Sequence, residues 1–272
     1  MTYQVLDPVH PDVHPDVPPA VRSGGGPGFQ ILPLAGRIGA EVRGAHLSGS
    51  LGARPVGVLH EALLRHKVLF CRDQHHLDAA AQTAFARLLG EPVAPCADDP
   101  APGGWDAGPT WSDRPPAISV ALAVRVPSHG GDTVWANTAA AYDDLPVELR
   151  EVADRLWIRH GDGPGATEHP LVRVHPGTGE RALMLGGFAR RVAGLSEESD
   201  SEALLRLFQE HVTRLENTVR WRWSPGDVAI WDQRATQHRV VRDYGDRPRR
   251  LRRVMLAGDG PRPVDGRRGA VR

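Results

Sequence analysis

The chain has 272 residues and a mass of 29.5 kDa, with 40% hydrophobic and 24% charged residues. That is the make-up of one sizeable globular domain with its own core. Lys+Arg and Asp+Glu both number 33, so the net charge is zero, which argues against a protein that grips nucleic acid or anionic membrane through overall basic charge. No run approaches the roughly 18 unbroken apolar residues of a membrane-spanning helix. The Pro-rich start has neither the basic nor the apolar part of a secretory leader, and the expected location is cytoplasmic. Cys71 and Cys96 are the two cysteines, too few for a disulfide framework or a Cys-rich zinc site.

Residues 1–28 repeat His-Pro-Asp-Val and then become Gly-rich; with little to bury they are expected to form a disordered tail. The domain is expected over 29–262, with a flexible basic tail at 263–272. Residues 54–67 place Val56, Leu59 and Leu63 on one helical face. Val68-Leu69-Phe70 reads as a short buried strand, and 78–89 as a helix capped by Asp78. Residues 92–116, rich in Pro, Gly and Asp, read as an irregular loop of the kind that carries function. Residues 117–126 are a strong strand, 133–135 a short one, and 138–156 a helix. Residues 171–174 and 181–185 flank Pro176-Gly177-Thr178-Gly179 as a hairpin. A helix is expected over 200–215, then strands at 219–223, 227–231 and 251–257. Many short strands with a few inserted helices predict a mainly β fold, most simply a jelly-roll.

Trp231-Asp232-Gln233-Arg234-Ala235-Thr236-Gln237-His238 resembles the W-D-N-R-x-x-x-H motif of the TauD/TfdA family. Leu69-Phe70-Cys71-Arg72-Asp73-Gln74, Gly130-Gly131-Asp132-Thr133-Val134-Trp135 and the Arg-rich strand 249–259 match in the same order. The resemblance spans about residues 31 to 260. It implies a double-stranded β-helix and an iron(II)- and 2-oxoglutarate-dependent oxidation of a small organic substrate. In that family two histidines and a carboxylate hold Fe(II) by one face and leave the other positions to the co-substrate and dioxygen. Two of those ligands come as His-x-Asp, whose spacing puts both side chains on one side of an extended chain.

Carried over residue by residue, the resemblance implies that His238 is the distal histidine ligand and that Thr133 contacts 2-oxoglutarate. It makes Arg253 the guanidinium that clamps the far carboxylate, and Arg249 a second Arg near the co-substrate. The departure lies ahead of Pro115-Pro116-Ala117, where the family has Trp-His-x-Asp and this chain has Trp105-Asp106-Ala107-Gly108. Trp111-Ser112-Asp113-Arg114, the alternative register, also lacks the His.

Three readings stay open. Asp106 replaces the histidine as an oxygen ligand beside His238, and Gly108 leaves a vacancy for water or an anion. Alternatively Asp98, Asp99 or Asp113 completes the site. In the third reading metal chemistry is lost, and the pocket is a carboxylate-binding site or supports a metal-independent step with Asp106 or His238 as acid or base. His75 and His76 read as solvated, and His129, His160, His169 and His175 as surface or hydrogen-bonded. Trp221, Trp223 and Trp231 read as core, and Asp232 and Arg234 as organising the strand end near His238.

Overall fold

The computed structural model describes residues 28–93 and 104–266. In chain order β1 (Gln30–Pro33), β2 (Ala40–Arg43), α1 (Ala53–His66), β3 (Val68–Cys71) and α2 (Ala79–Arg87) come first. Then follow β4 (Ile118–Arg125), β5 (Thr133–Asn137), α3 (Thr138–Asp143), α4 (Val147–Ala153) and β6 (Trp157–His160). β7 (Thr167–Pro170), β8 (Val172–Val174), β9 (Arg181–Leu183), β10 (Ala189–Val192) and α5 (Glu198–Val212) continue the chain. β11 (Thr218–Trp221), β12 (Val228–Asp232), β13 (Thr236–Val240), β14 (Arg250–Leu256) and β15 (Arg262–Pro263) close it.

The main sheet runs β1-β2-β3-β12-β4-β14, antiparallel except where β2 meets β3. A smaller sheet, β11-β5-β13, is antiparallel throughout. Side-chain alternation decides what each face of the main sheet meets. Val228 and Ile230 of β12, Leu69 of β3 and Val120 of β4 pack with Leu59 and Leu63 of α1 and Phe85 of α2. Their neighbours Ala229, Trp231, Phe70 and Ala121 turn the other way, onto Trp135 of β5 and Trp221 of β11. The two sheets therefore enclose an aromatic interior, in which Phe70 stacks on Trp221 at 4.2 Å and Trp135 meets Trp231 edge-on at 5.7 Å. A third core lies outside the smaller sheet, where α3 and α5 pack against β6, β8, β9 and β10. The mainly β jelly-roll is thus present, with helices covering both outer faces.

Asp78 caps α2, its Oδ1 accepting from the Ala81 amide at 2.8 Å. The continuous helix expected over 138–156 is two short ones, because Pro146 interrupts it after Leu145 and a proline disfavours helical geometry in the residue before it. The last helix starts earlier than expected and ends at Val212, leaving Leu215 outside it and exposed. At the C-terminal end β15 pairs with β8 and Val264 packs against the third core, so the chain stays attached past residue 262. Among the described residues no helix is long and apolar enough to cross a membrane. Cys96, Asp98 and Asp99 lie outside the described residues, as does the tail expected over 1–28 apart from Gly28.

Candidate active site

The strand β13 pairs with β5 so that His238 stands opposite Trp135. Its ring enters the aromatic interior, 6.3 Å from the Trp135 ring and 5.1 Å from that of Trp231. Asp106 reaches the same place through a single antiparallel bridge, its amide donating to the His238 carbonyl at 2.7 Å and its carbonyl accepting from the His238 amide at 2.8 Å. Both side chains are buried, and His238 Nε2 lies 3.8 Å from Asp106 Oδ2. Asp106 Oδ1 accepts from the Gly108 amide at 2.8 Å, while His238 Nδ1 is buried without a hydrogen-bond partner. Burial pushes the His238 imidazole down to about 4; the Asp106 carboxylate opposes that shift, and the nearby Arg253 and Arg249 guanidiniums add to it. The ring is therefore neutral at pH 7, the form in which an imidazole can ligate a metal.

Thr133, Arg249 and Arg253 line the same narrow pocket as His238, walled by Trp135, Trp223 and Trp231. The structure pairs Thr133 with Arg249, not with Arg253. Arg249 donates from Nη2 to Thr133 Oγ1 at 3.0 Å and from Nε to the Gly131 carbonyl at 2.9 Å. Trp223 Nε1 also donates to Thr133 Oγ1, at 2.9 Å. With two hydrogen bonds accepted, the hydroxyl has its own proton left to donate. Arg253 lies toward the His238 corner, its guanidinium 4.9 Å from the centre of the Trp231 ring. Its Nε donates to Ser119 Oγ at 3.0 Å and its Nη2 to Gln233 Oε1 at 2.7 Å.

Gln233 is the residue that sequence reasoning missed. The signal was present, because the matching family motif has Asn there and Gln is one methylene longer. Gly108 has a positive φ of 82°, and a Cβ built on it would lie 2.5 Å from Gln233 Oε1. Gln233 is buried and its Nε2 lacks a partner. The side chain thus fills the place next to Gly108 where the family has its carboxylate.

The remaining expected groups sort by their contacts. Asp232 and Arg234 form a buried cluster with His175: Arg234 Nη2 and His175 Nε2 bond Asp232 Oδ2 at 2.6 and 2.9 Å. Thr236 Oγ1 bonds the Asp232 carbonyl at 2.7 Å, which fixes the turn leading into β13 and hence His238. His160 bonds Thr110 Oγ1 at 2.9 Å and His169 the Ser112 carbonyl at 3.0 Å, both within the packed interior. His75, His76 and His129 are exposed, and so is Asp113. Trp221, Trp223 and Trp231 are buried core residues, the latter two also lining the pocket. Burial pushes the Cys71 thiol up to about 12, so it stays protonated.

Residues 30–255 match the taurine catabolism dioxygenase TauD, TfdA family. The chain belongs to this family of 2-oxoglutarate-dependent dioxygenases. An alpha-ketoglutarate-dependent sulfate ester dioxygenase of Pseudomonas putida is 50% identical over 279 residues, covering 88% of this chain and 92% of that protein. An alkylsulfatase of Acinetobacter baylyi is 43% identical, with 89% of each chain covered. Among solved structures, a taurine dioxygenase from Burkholderia xenovorans superposes with a TM-score of 0.82 at 38% identity, covering 90% of this chain and 96% of that one. A structure of AAD-2 in complex with Mn(II) and N-oxalylglycine superposes with a TM-score of 0.80 at 26% identity, over 86% of this chain and 98% of that one. Membership in the TauD/TfdA family brings 2-oxoglutarate as co-substrate, Fe(II) as metal and a small molecule as substrate.

The corner around His238 in this TauD/TfdA member departs from the family pattern. Among the described residues no three His, Cys, Asp or Glu side chains group as a ligand set. What converges is one neutral imidazole and one carboxylate, 3.8 Å apart. Two donors about 2.1 Å from a first-row ion and on one face of it stand about 3 Å apart. The His238–Asp106 separation is too long for a hydrogen bond, and the two groups would close by less than about 1 Å to share an ion. His238 Nε2 and Asp106 Oδ2 are the atoms that would hold a divalent cation, as two of its ligands.

Proposed function

We propose that the protein oxidises small sulfate esters, using 2-oxoglutarate as co-substrate, with His238 and Asp106 as protein ligands to the iron. Arg249 and Thr133 receive the far carboxylate of 2-oxoglutarate. The observation that carries this assignment is the state of Thr133 Oγ1, which accepts from Arg249 and Trp223 and so presents a proton beside a guanidinium. A proton donor paired with a fixed cation is the complement of a carboxylate oxygen. When bound, Fe(II) with 2-oxoglutarate supplies the activation of dioxygen, with conversion of the keto acid to succinate and carbon dioxide.

The sulfate-ester reading rests on the two relatives named above and on charge. Arg249 and Arg253 face one pocket that has Asp106 at its margin. With a divalent metal bound, that balance suits a dianionic co-substrate together with a second, singly charged ligand. Trp135, Trp223, Trp231 and Leu251 provide the apolar wall that an organic substituent needs. Oxygen inserted at the carbon bearing the ester gives a 1-hydroxyalkyl sulfate, which expels sulfate and leaves an aldehyde. The protein is assayed with Fe(II), 2-oxoglutarate and a medium-chain alkyl sulfate. Succinate and inorganic sulfate released in equal amounts support the proposal. Succinate formed without sulfate rejects the substrate class, and no succinate with sulfate esters, sulfonates or phenoxy acids rejects the oxygenase assignment.

A further inference from the structure

Gly108 and Gln233 depart together from the family pattern, and they touch. A carboxylate oxygen lies about 2.4 Å from its own Cβ, as bond lengths of about 1.5 and 1.2 Å require. Gln233 Oε1 lies 2.5 Å from the Cβ position of residue 108, so an oxygen is already at the radius at which an aspartate at 108 would place its own. We infer that Gln233 supplies the third protein oxygen of the metal corner, which is then His238, Asp106 and Gln233. This inference rests on the metal-dependent reading given above and deepens it.

Charge supports the exchange. The family's ligand set has two neutral imidazoles and one carboxylate. Here the carboxylate has moved to 106, where the family has a histidine. Keeping a second carboxylate at 108 would give the ion two anionic ligands. Gly108 with Gln233 restores one anionic and two neutral donors, so the net charge at the corner is unchanged. The amide oxygen has two lone pairs, one of which is used by Arg253 Nη2 at 2.7 Å. The other remains for a cation, and oxygen donors of this kind suit harder divalent ions. The positive φ of Gly108 and its lack of a side chain admit the Gln233 carboxamide, which any other residue at 108 would displace.

The test is Mn(II) binding to the full chain without 2-oxoglutarate, followed by the EPR signal of free Mn(II). The variants are Gln233→Glu, Gln233→Ala and His238→Ala. Gln233→Glu keeps the shape and keeps an acceptor for Arg253, and is expected to tighten Mn(II) at least about tenfold. Gln233→Ala is expected to weaken it by at least about tenfold, and His238→Ala to remove it. If Gln233 only props Arg253, both Gln233 variants bind Mn(II) as the wild type does. That result overturns the inference and leaves the dioxygenase reading standing. If the wild type binds no Mn(II) and forms no succinate in the assay above, both fall. An unchanged near-ultraviolet circular dichroism spectrum checks that each variant is folded.

Discussion

Asp106 and His238 exchange both hydrogen bonds of a lone antiparallel bridge, at 2.7 and 2.8 Å, while their side chains stop 3.8 Å apart. The backbone brings the two groups together without help from the side chains. Asp106→Asn and His238→Gln are therefore expected to keep the bridge and the fold while each lowers divalent-metal affinity by at least about tenfold. Mn(II) titration measures the loss, and an unchanged urea midpoint confirms the fold. Metal binding untouched by either substitution would rule out this corner as the metal site.

The cradle formed by Arg249 and Thr133 gives a second, separable expectation. Loss of a hydrogen bond to a charged group costs about 1.5–3 kcal/mol. Both bonds end on the far carboxylate, so Arg249→Gln and Thr133→Val should each weaken 2-oxoglutarate binding by about 10- to 100-fold. Calorimetry under anaerobic conditions reads both. Were Arg253→Gln to abolish binding while Arg249→Gln left it intact, the far carboxylate would belong at Arg253 after all.

The turn ahead of His238 depends on a fully buried acid. Asp232 is shared by Arg234 and His175, and these partners hold its carboxyl well below the usual range despite burial. Removing one member of a buried ionic cluster leaves the others uncompensated, at a cost of about 3–5 kcal/mol. Asp232→Ala is expected to lose that much stability in urea denaturation. A loss below about 1 kcal/mol would mean that the cluster does not fix the turn.

Acid sensitivity should arise at His160. Burial, with smaller contributions from His169 and Arg190, pushes its imidazole down from 6.5 to about 3. The folded state thus resists a proton that the unfolded chain accepts. The stability linked to His160 is fully present above pH 6.5 and is lost as the pH falls toward 3, with a slope of about 1.4 kcal/mol per pH unit. Urea midpoints from pH 7 to 5 should fall in the wild type and fall less steeply in His160→Asn. Parallel profiles would show that His160 is not the group responsible.

How legible the fold was depends on the length scale of each signal. Thr218–Trp221 was readable because alternation along one strand fixes which side chains face inward, and Val219 and Trp221 are buried with Arg220 exposed between them. The break at Pro146 was equally local but was outweighed by the apolar spacing on either side. β6, β7 and β10 form their own three-stranded sheet, and segments of four residues each carry too short a pattern to stand out. At the site, motif order named His238, Thr133 and both arginines, which line one pocket. It could not tell which arginine meets Thr133, because that contact joins residues 116 positions apart and depends on how the two sheets face each other. The departure at Asp106 and Gly108 was visible as letters; its partner at Gln233 became visible only when the turn after β12 was seen beside residue 108.

The contact between Gly108 and Gln233 can be tested by stability alone, independently of any metal. Gly108→Ala brings two costs. A left-handed backbone, φ 82°, is unfavourable for a side-chain-bearing residue by about 1–2 kcal/mol. The new Cβ, 2.5 Å from Gln233 Oε1, adds an overpacking cost of about 1–3 kcal/mol. Gln233→Ala removes the acceptor of an Arg253 hydrogen bond, again about 1–3 kcal/mol. In the double variant the backbone cost and the lost hydrogen bond remain, but the clash is gone. The two substitutions should therefore be less destabilising together than separately summed, by about 1–3 kcal/mol in urea denaturation. Residues that do not touch add to within about 0.5 kcal/mol; additivity of that quality would place Gln233 away from residue 108, and the amide oxygen away from the corner occupied by His238 and Asp106.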